Sequence, residues 1–153
     1  MPEQIKKKKN TKELLEKLKA KSDKVKAKCE KNNEKESDLK STIIKAIEEK
    51  KGEEIVVIDF HKITNSICDY FIICQGNSGR QINTIADSIE EKVRKKLAIK
   101  PSHKEGFANL QWVLLDYLDI VVHIFQPETR NFYQLEELWA DANQLRIRNN
   151  LKL

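Results

Sequence analysis

The sequence predicts a mixed α/β (α+β) fold: one mixed β-sheet of about four strands with helices packed against it. Three observations carry this. Apolar residues recur at helical spacing in three segments, and two pairs of apolar, β-branched runs lie between those segments. The resulting order is helix, strand, strand, helix, strand, strand, helix, with no repeating period that would indicate a solenoid. The chain has 153 residues, enough for one compact domain with tails.

The elements follow in order. Residues 1–37 are mostly Lys, Glu, Asn and Ser, with a thin scatter of apolar residues at Ile5, Leu14, Leu15, Leu18 and Val25. Helix formers abound over 11–31, yet so narrow an apolar stripe buries little, and this segment is expected to be a lysine-rich extension, disordered or partly helical. Folded sequence is expected from Asp38. Leu39, Ile43 and Ile47 recur every four residues and are widened by Ile44 and Ala46, the pattern of an amphipathic helix stopped by Gly52. The run 53–60, EEIVVIDF, and the run 68–75, CDYFIICQ, have the composition of buried strands.

The turn GNSGR then opens a long helix carrying Ile82, Ile85, Ala86, Ile89, Val93 and Leu97. Ser78 and Gln81 have capping-box spacing, and Lys92, Arg94, Lys95 and Lys96 crowd its negative end. Residues 98–110 are expected to form a loop around Pro101 and Gly106. The run QWVLLDYLDIVVHIF, 111–125, divides into two strands with a tight hairpin near Tyr117-Leu118-Asp119. A last helix bears Phe132, Leu135, Leu138 and Trp139, and residues 143–153 are expected to be a polar, basic tail. The predicted organisation is thus 1–37 extension, 38–142 domain, 143–153 tail.

Charge is divided unevenly. Residues 1–37 hold thirteen lysines against seven acids, whereas residues 38–153 hold sixteen Lys and Arg against seventeen acids. The basic character therefore belongs to the extension, and the near-neutral body disfavours a general RNA-binding domain. Lys6, Lys7, Lys8 and Lys9 are the candidate nucleic-acid contacts, since such a run meets phosphates without reading sequence; a solvated, solubilising tail explains them equally. No aromatic residue is interleaved in 1–37, so base stacking is not offered. The three cysteines, Cys29, Cys68 and Cys74, are odd in number and lack disulfide or zinc spacing. They fit a reducing cytoplasmic compartment, with Cys68 and Cys74 as buried thiols. No apolar run reaches the length of a membrane span, and no secretory or transit signature opens the chain.

Few residues nominate chemistry. The Gly76–Arg80 turn could bind phosphate at a helix N-terminus, but it is neither GxGxxG nor GxxxxGK[ST], and a capped strand-to-helix turn is the better explanation. Asp116 and Asp119 lie three apart near a hairpin, where Asp119 serves better as a turn residue than as a metal ligand. His123 sits in an apolar strand with no spacing that supplies a nucleophile or orienting acid, so it is expected to be a core histidine. No metal and no cofactor is expected. Trp112, Leu114 and Asp116 share one strand face, and Val113, Leu115 and Tyr117 the other. A carboxylate beside an aromatic favours a partly exposed contact patch, because an unpaired buried charge is costly. The alternative leaves Trp112 in the core, with Asp116 capping a neighbour.

The ordered set Asp69-Tyr70-Phe71, Gly76-x-Ser78-x-Arg80, Ala86-Asp87, Trp112-Val113-Leu114-Leu115-Asp116, Val122-His123-Ile124-Phe125, Phe132-Tyr133, Leu135-Glu136 and Leu138-Trp139 resembles the ribosomal silencing factor family, the Iojap-related proteins, from about Leu39 to Ala142. The resemblance implies a nucleotidyltransferase-like fold without enzymatic activity. It implies a homodimer off the ribosome and binding to large-subunit ribosomal protein fourteen. That binding would sterically block the small subunit and repress translation under nutrient limitation. It also implies a protein contact through Trp112, Leu115, Asp116 and Tyr117. The competing reading is a nucleotide-binding or nucleotidyltransferase-type enzyme using the Gly76–Arg80 turn, and the single aspartate that follows, Asp87, argues against it. Two features depart from the family pattern: Leu118 stands where Gly is usual, and residues 1–37 have no counterpart.

Overall fold

The computed structural model describes residues 33–148. Residues 1–32 of the lysine-rich extension, with Lys6 to Lys9 and Cys29, lie outside the described residues, as do residues 149–153, whereas residues 33–37 already belong to the first helix, which starts before the expected Asp38. Among the described residues ten elements follow one another: α1 (Asn33–Glu49), β1 (Glu53–Asp59), β2 (Tyr70–Gln75), α2 (Gly79–Leu97), β3 (His103–Glu105), β4 (Trp112–Asp116), β5 (Ile120–Phe125), α3 (Pro127–Tyr133), α4 (Leu135–Leu138) and β6 (Asn143–Ile147).

The strands form a single mixed sheet in the order β3-β4-β5-β2-β1-β6. Within it β2 and β5 run parallel, and the other neighbours are antiparallel. The sheet has six strands where about four were expected. Both additions are edge strands. Strand β3 lies inside the expected loop 98–110 and is three residues long. Strand β6 takes the start of the expected tail into the sheet, alongside β1. Edge strands need no apolar alternation, and β6 is exposed along almost its whole length.

Strand alternation splits the core in two. On one face Ile55, Val57, Ile72, Cys74, Val113, Leu115, Tyr117, Val122 and Ile124 meet Leu39, Ile43 and Ile47 of α1 and Ile82, Ile85, Ile89 and Val93 of α2. On the other, Val56, Ile58, Phe71, Ile73, Leu114, Val121 and Phe125 meet Phe60, Ile67 and Leu135, with Trp112, Tyr133 and Trp139 at the margin. This second cover consists of short helices and loops. Burial on both faces explains why β1, β2 and β5 are continuously apolar.

The helix ends follow their predicted chemistry, with two differences. Ser78 caps α2, its Oγ accepting from the Gln81 N–H at 3.1 Å. Gln81 reaches back to the Asn77 N–H at 2.9 Å, one residue before the cap. At the end of α1 the left-handed residue is Lys51, φ 60°, rather than Gly52. Gly52 is there for space: a Cβ would collide with the Ile47 side chain. The single last helix expected around Phe132 to Trp139 is divided by Gln134, whose φ of 47° ends α3 before α4 begins. Cys68 and Cys74 are buried, as expected, and burial pushes the Cys74 thiol up to about 12.

Candidate functional site

The hairpin β4–β5 carries the expected contact residues, and its turn decides where they point. The Tyr117 N–H donates to the Ile120 carbonyl at 2.9 Å, and the Asp119 N–H to the Tyr117 carbonyl at 3.0 Å. Closure this tight forces Leu118 to φ 74°, where a branched side chain is strained. The Asp116 carboxylate compensates, accepting the Leu118 N–H at 2.8 Å. Glycine at 118 removes the strain without disturbing that bond. Leu118→Gly is therefore expected to raise the unfolding free energy by ~1 kcal/mol in urea melts.

The four expected contact residues divide sharply. Leu115 is 0% exposed, Asp116 3% and Tyr117 5%, whereas Trp112 is only partly buried. The expectation that Asp116 lies in an exposed patch is corrected: the buried carboxylate is satisfied by the hairpin backbone, so burial costs it little. Leu115 and Tyr117 point into the layer between sheet and long helices, and burial pushes the Tyr117 phenol up. In this chain alone Trp112 is the member of the set that offers surface.

Trp112 is rigidly held. Its ring stacks on Phe125 at 4.9 Å between centroids and lies 4.8 Å from Tyr133. Its indole N–H donates to Nδ1 of His123 at 3.0 Å. His123 is 0% exposed, 4.5 Å from the Phe71 ring, and burial lowers it to about 3. The neutral ring, with its Nδ1 lone pair free to accept, is thus the stable form, and it fixes the indole orientation. Beside Trp112 opens a cleft of about 400 Å³ lined by Gly106, Asn109, Gln111, Gln126, Glu128, Thr129, Phe132 and Tyr133. Gly106 has φ 91°, and a Cβ there would strike the Trp112 carbonyl. Sequence reasoning found Trp112 and missed this cleft, because α3 and the β3–β4 connection supply most of its wall.

The Gly76–Arg80 turn is tied up in the helix cap: the Asn77 N–H donates to Gln81 Oε1, the Gln81 N–H to Ser78 Oγ, and the Gln81 Nε2 to the Lys51 carbonyl at 3.0 Å. A second cluster has no signal at sequence spacing. Glu36, His61 and Asp69 bring ligand-type atoms within 4.8 Å of one another, from three separate segments. Burial, then the Asp69 carboxylate, pushes Glu36 up to about 7. No helix among the described residues is long and apolar enough to cross a membrane.

Comparison with known proteins places these features in a family. The family model "Ribosomal silencing factor during starvation" matches residues 31–152. The chain is 38% identical over 105 residues to Ribosomal silencing factor RsfS of Halalkalibacterium halodurans, covering 69% of this chain and 88% of that protein. It is 40% identical over 97 residues to the Bacillus subtilis protein of the same name, covering 63% and 80%. The fold is similar to a crystal structure of a Chromobacterium violaceum protein, with a TM-score of 0.63, 34% identity, and coverage of 68% of this chain and 85% of that one. The chain belongs to the ribosomal silencing factor family, whose membership implies ribosome-associated regulation of translation.

Proposed function

We propose that the protein is a non-enzymatic translational repressor of the cytoplasm. It binds the large ribosomal subunit through ribosomal protein fourteen and, by its bulk, keeps the small subunit from joining when nutrients are scarce. The observation that carries this reading is the half-buried Trp112, held by Phe125, Tyr133 and His123 beside a cleft. A preorganised aromatic next to a concave surface is the arrangement of an interface anchor. Steric exclusion requires tight binding and no bond-making. Leu115, Asp116 and Tyr117 serve the contact from beneath, by fixing the hairpin that carries Trp112. The exposed carboxylate of Glu128 at the cleft suits a basic ribosomal protein and steers its approach.

Co-sedimentation with isolated large subunits tests this. Trp112→Ala is expected to weaken binding by ~30-fold or more, with the fold retained by circular dichroism. Wild-type binding by a folded Trp112→Ala protein would remove Trp112 from the contact.

The extension adds a separate contribution in this proposal. Lys6, Lys7, Lys8 and Lys9 meet rRNA phosphates near the docking point, without base specificity. Deleting residues 1–37 removes thirteen lysines and seven acids. The truncated protein is expected to bind large subunits more weakly and with a shallower dependence on salt, and an unchanged slope would assign the extension no phosphate contact. Off the ribosome the chain is expected to form a homodimer.

A further inference from the structure

We propose that Glu36, His61 and Asp69 form a binding site for one divalent first-row transition ion of zinc type, with Asp59 as the group that orients the histidine. The inference is independent of the Trp112 contact. Its donors come from α1, from the residues just after β1, and from the residue before β2, so the fold and not a local motif assembles them.

The arrangement is that of a ligating histidine. His61 Nδ1 lies 2.6 Å from Asp59 Oδ1, and the same carboxylate oxygen accepts the His61 backbone N–H at 2.9 Å. This fixes the ring and, with Asp59 engaging Nδ1, turns Nε2 toward the proposed ion. Nε2 faces Glu36 Oε1 at 3.8 Å and Asp69 Oδ1 at 3.9 Å. Both distances are too long for a hydrogen bond. They suit donors sharing one ion, because bonds of about 2.0–2.2 Å to a tetrahedral centre set its ligands about 3.4 Å apart. A contraction of about half an ångström brings both histidine distances to that value.

A second observation points the same way. Glu36 Oε1 is shielded from solvent and faces this point beside the Asp69 carboxylate and the His61 ring. Around it stand the carboxylates of Asp59, Asp69 and Asp119, against Lys40, whose ammonium lies 4.5 Å from the Tyr70 ring. An ion of charge two would offset the repulsion between these carboxylates. One nitrogen and two carboxylate oxygens, completed by water, favour zinc-type ions over Mg²⁺, which prefers all-oxygen octahedra. Bound there, the ion ties the start of α1 to the β1–β2 connection. Its last residue, Asp69, and the first residue of β2, Tyr70, in turn donate their N–H groups to the Asp119 carbonyl at the hairpin turn.

Calorimetric titration of the full chain with ZnCl₂ tests the site, in a Cys29→Ser background that removes the thiol outside the described residues. One ion is expected to bind in the micromolar range, raising the thermal midpoint, with excess Mg²⁺ failing to compete. His61→Gln and Asp69→Asn are each expected to weaken binding at least tenfold, and Asp59→Asn by about 10–100-fold. His103→Gln alters the other histidine that meets a carboxylate, Glu105 at 2.6 Å, and is expected to leave affinity unchanged. His61 is 47% exposed, so His61→Gln keeps the fold and decides the matter if Asp69→Asn unfolds. Absence of binding at millimolar zinc, or equal affinity in folded His61→Gln, overturns the proposal.

Discussion

Lowering the pH from 7 to 5 is expected to cost the folded chain ~2 kcal/mol through His123 alone. The native ring is held neutral by burial, down to about 3. In the unfolded chain the ring takes a proton near its ordinary value of about 6.5. Below that value the unfolded state binds the extra proton, so acid favours unfolding. The loss begins as pH falls through about 6.5, grows by ~1.4 kcal/mol per unit, and levels off near the native value. Urea melts at pH 7 and pH 5 measure it. Other ionisable groups add to the pH dependence, so the informative quantity is the difference between wild type and His123→Asn. The variant is expected to be less stable at pH 7, because it loses the Trp112 hydrogen bond and the packing against Phe71, yet to show a smaller drop at pH 5. Parallel stability curves for the two proteins would show that His123 does not carry the acid sensitivity.

Arg130→Ala is expected to destabilise the chain by ~3 kcal/mol. Arg130 is 8% exposed, and its guanidinium ties three parts of the structure together. Nε and one terminal nitrogen donate to Glu136 Oε1 at 2.8 and 2.6 Å. The other terminal nitrogen donates to the Glu54 carbonyl at 2.7 Å and to Gln75 Oε1 at 3.3 Å. It therefore joins α3 and α4 to the ends of β1 and β2. Truncation leaves the Glu136 carboxylate and the Glu54 carbonyl without this donor, and the remaining solvent access of Glu136 moderates the cost. The double variant Arg130→Met, Glu136→Gln is expected to recover part of the loss. If removing the arginine shifts the urea midpoint no more than a surface substitution would, the guanidinium is not the tie.

What could be read from the sequence and what could not divides along physical lines. Strands β1, β2, β4 and β5 were legible because both their faces are covered, leaving unbroken apolar runs. The α2 cap was legible because Ser78 and Gln81 act over three residues. Strands β3 and β6 were not, since edges buried on neither face carry no pattern. Arg130 and the Glu36–His61–Asp69 group had no signature either: their partners are distant in sequence and meet only after folding. The hairpin was located correctly, while the exposure of its residues was not. Asp116 looked exposed because a charge in an apolar run suggests an unmet demand, and the demand is met by the Leu118 N–H two residues away. Leu118 itself was recognisable as an unusual turn residue, and its positive φ bears that out.

The one parallel pairing in the sheet, β2 against β5, has a kinetic meaning. Strands β1 and β2 form one hairpin and β4 and β5 another, each able to zip up from its own turn. Joining them requires the chain to loop out all of α2 and β3 before Tyr70 meets Ile120 and Cys74 meets Ile124. Entropy makes that junction the step on which refolding waits. Weakening it should slow the approach to the native state more than it hastens departure from it.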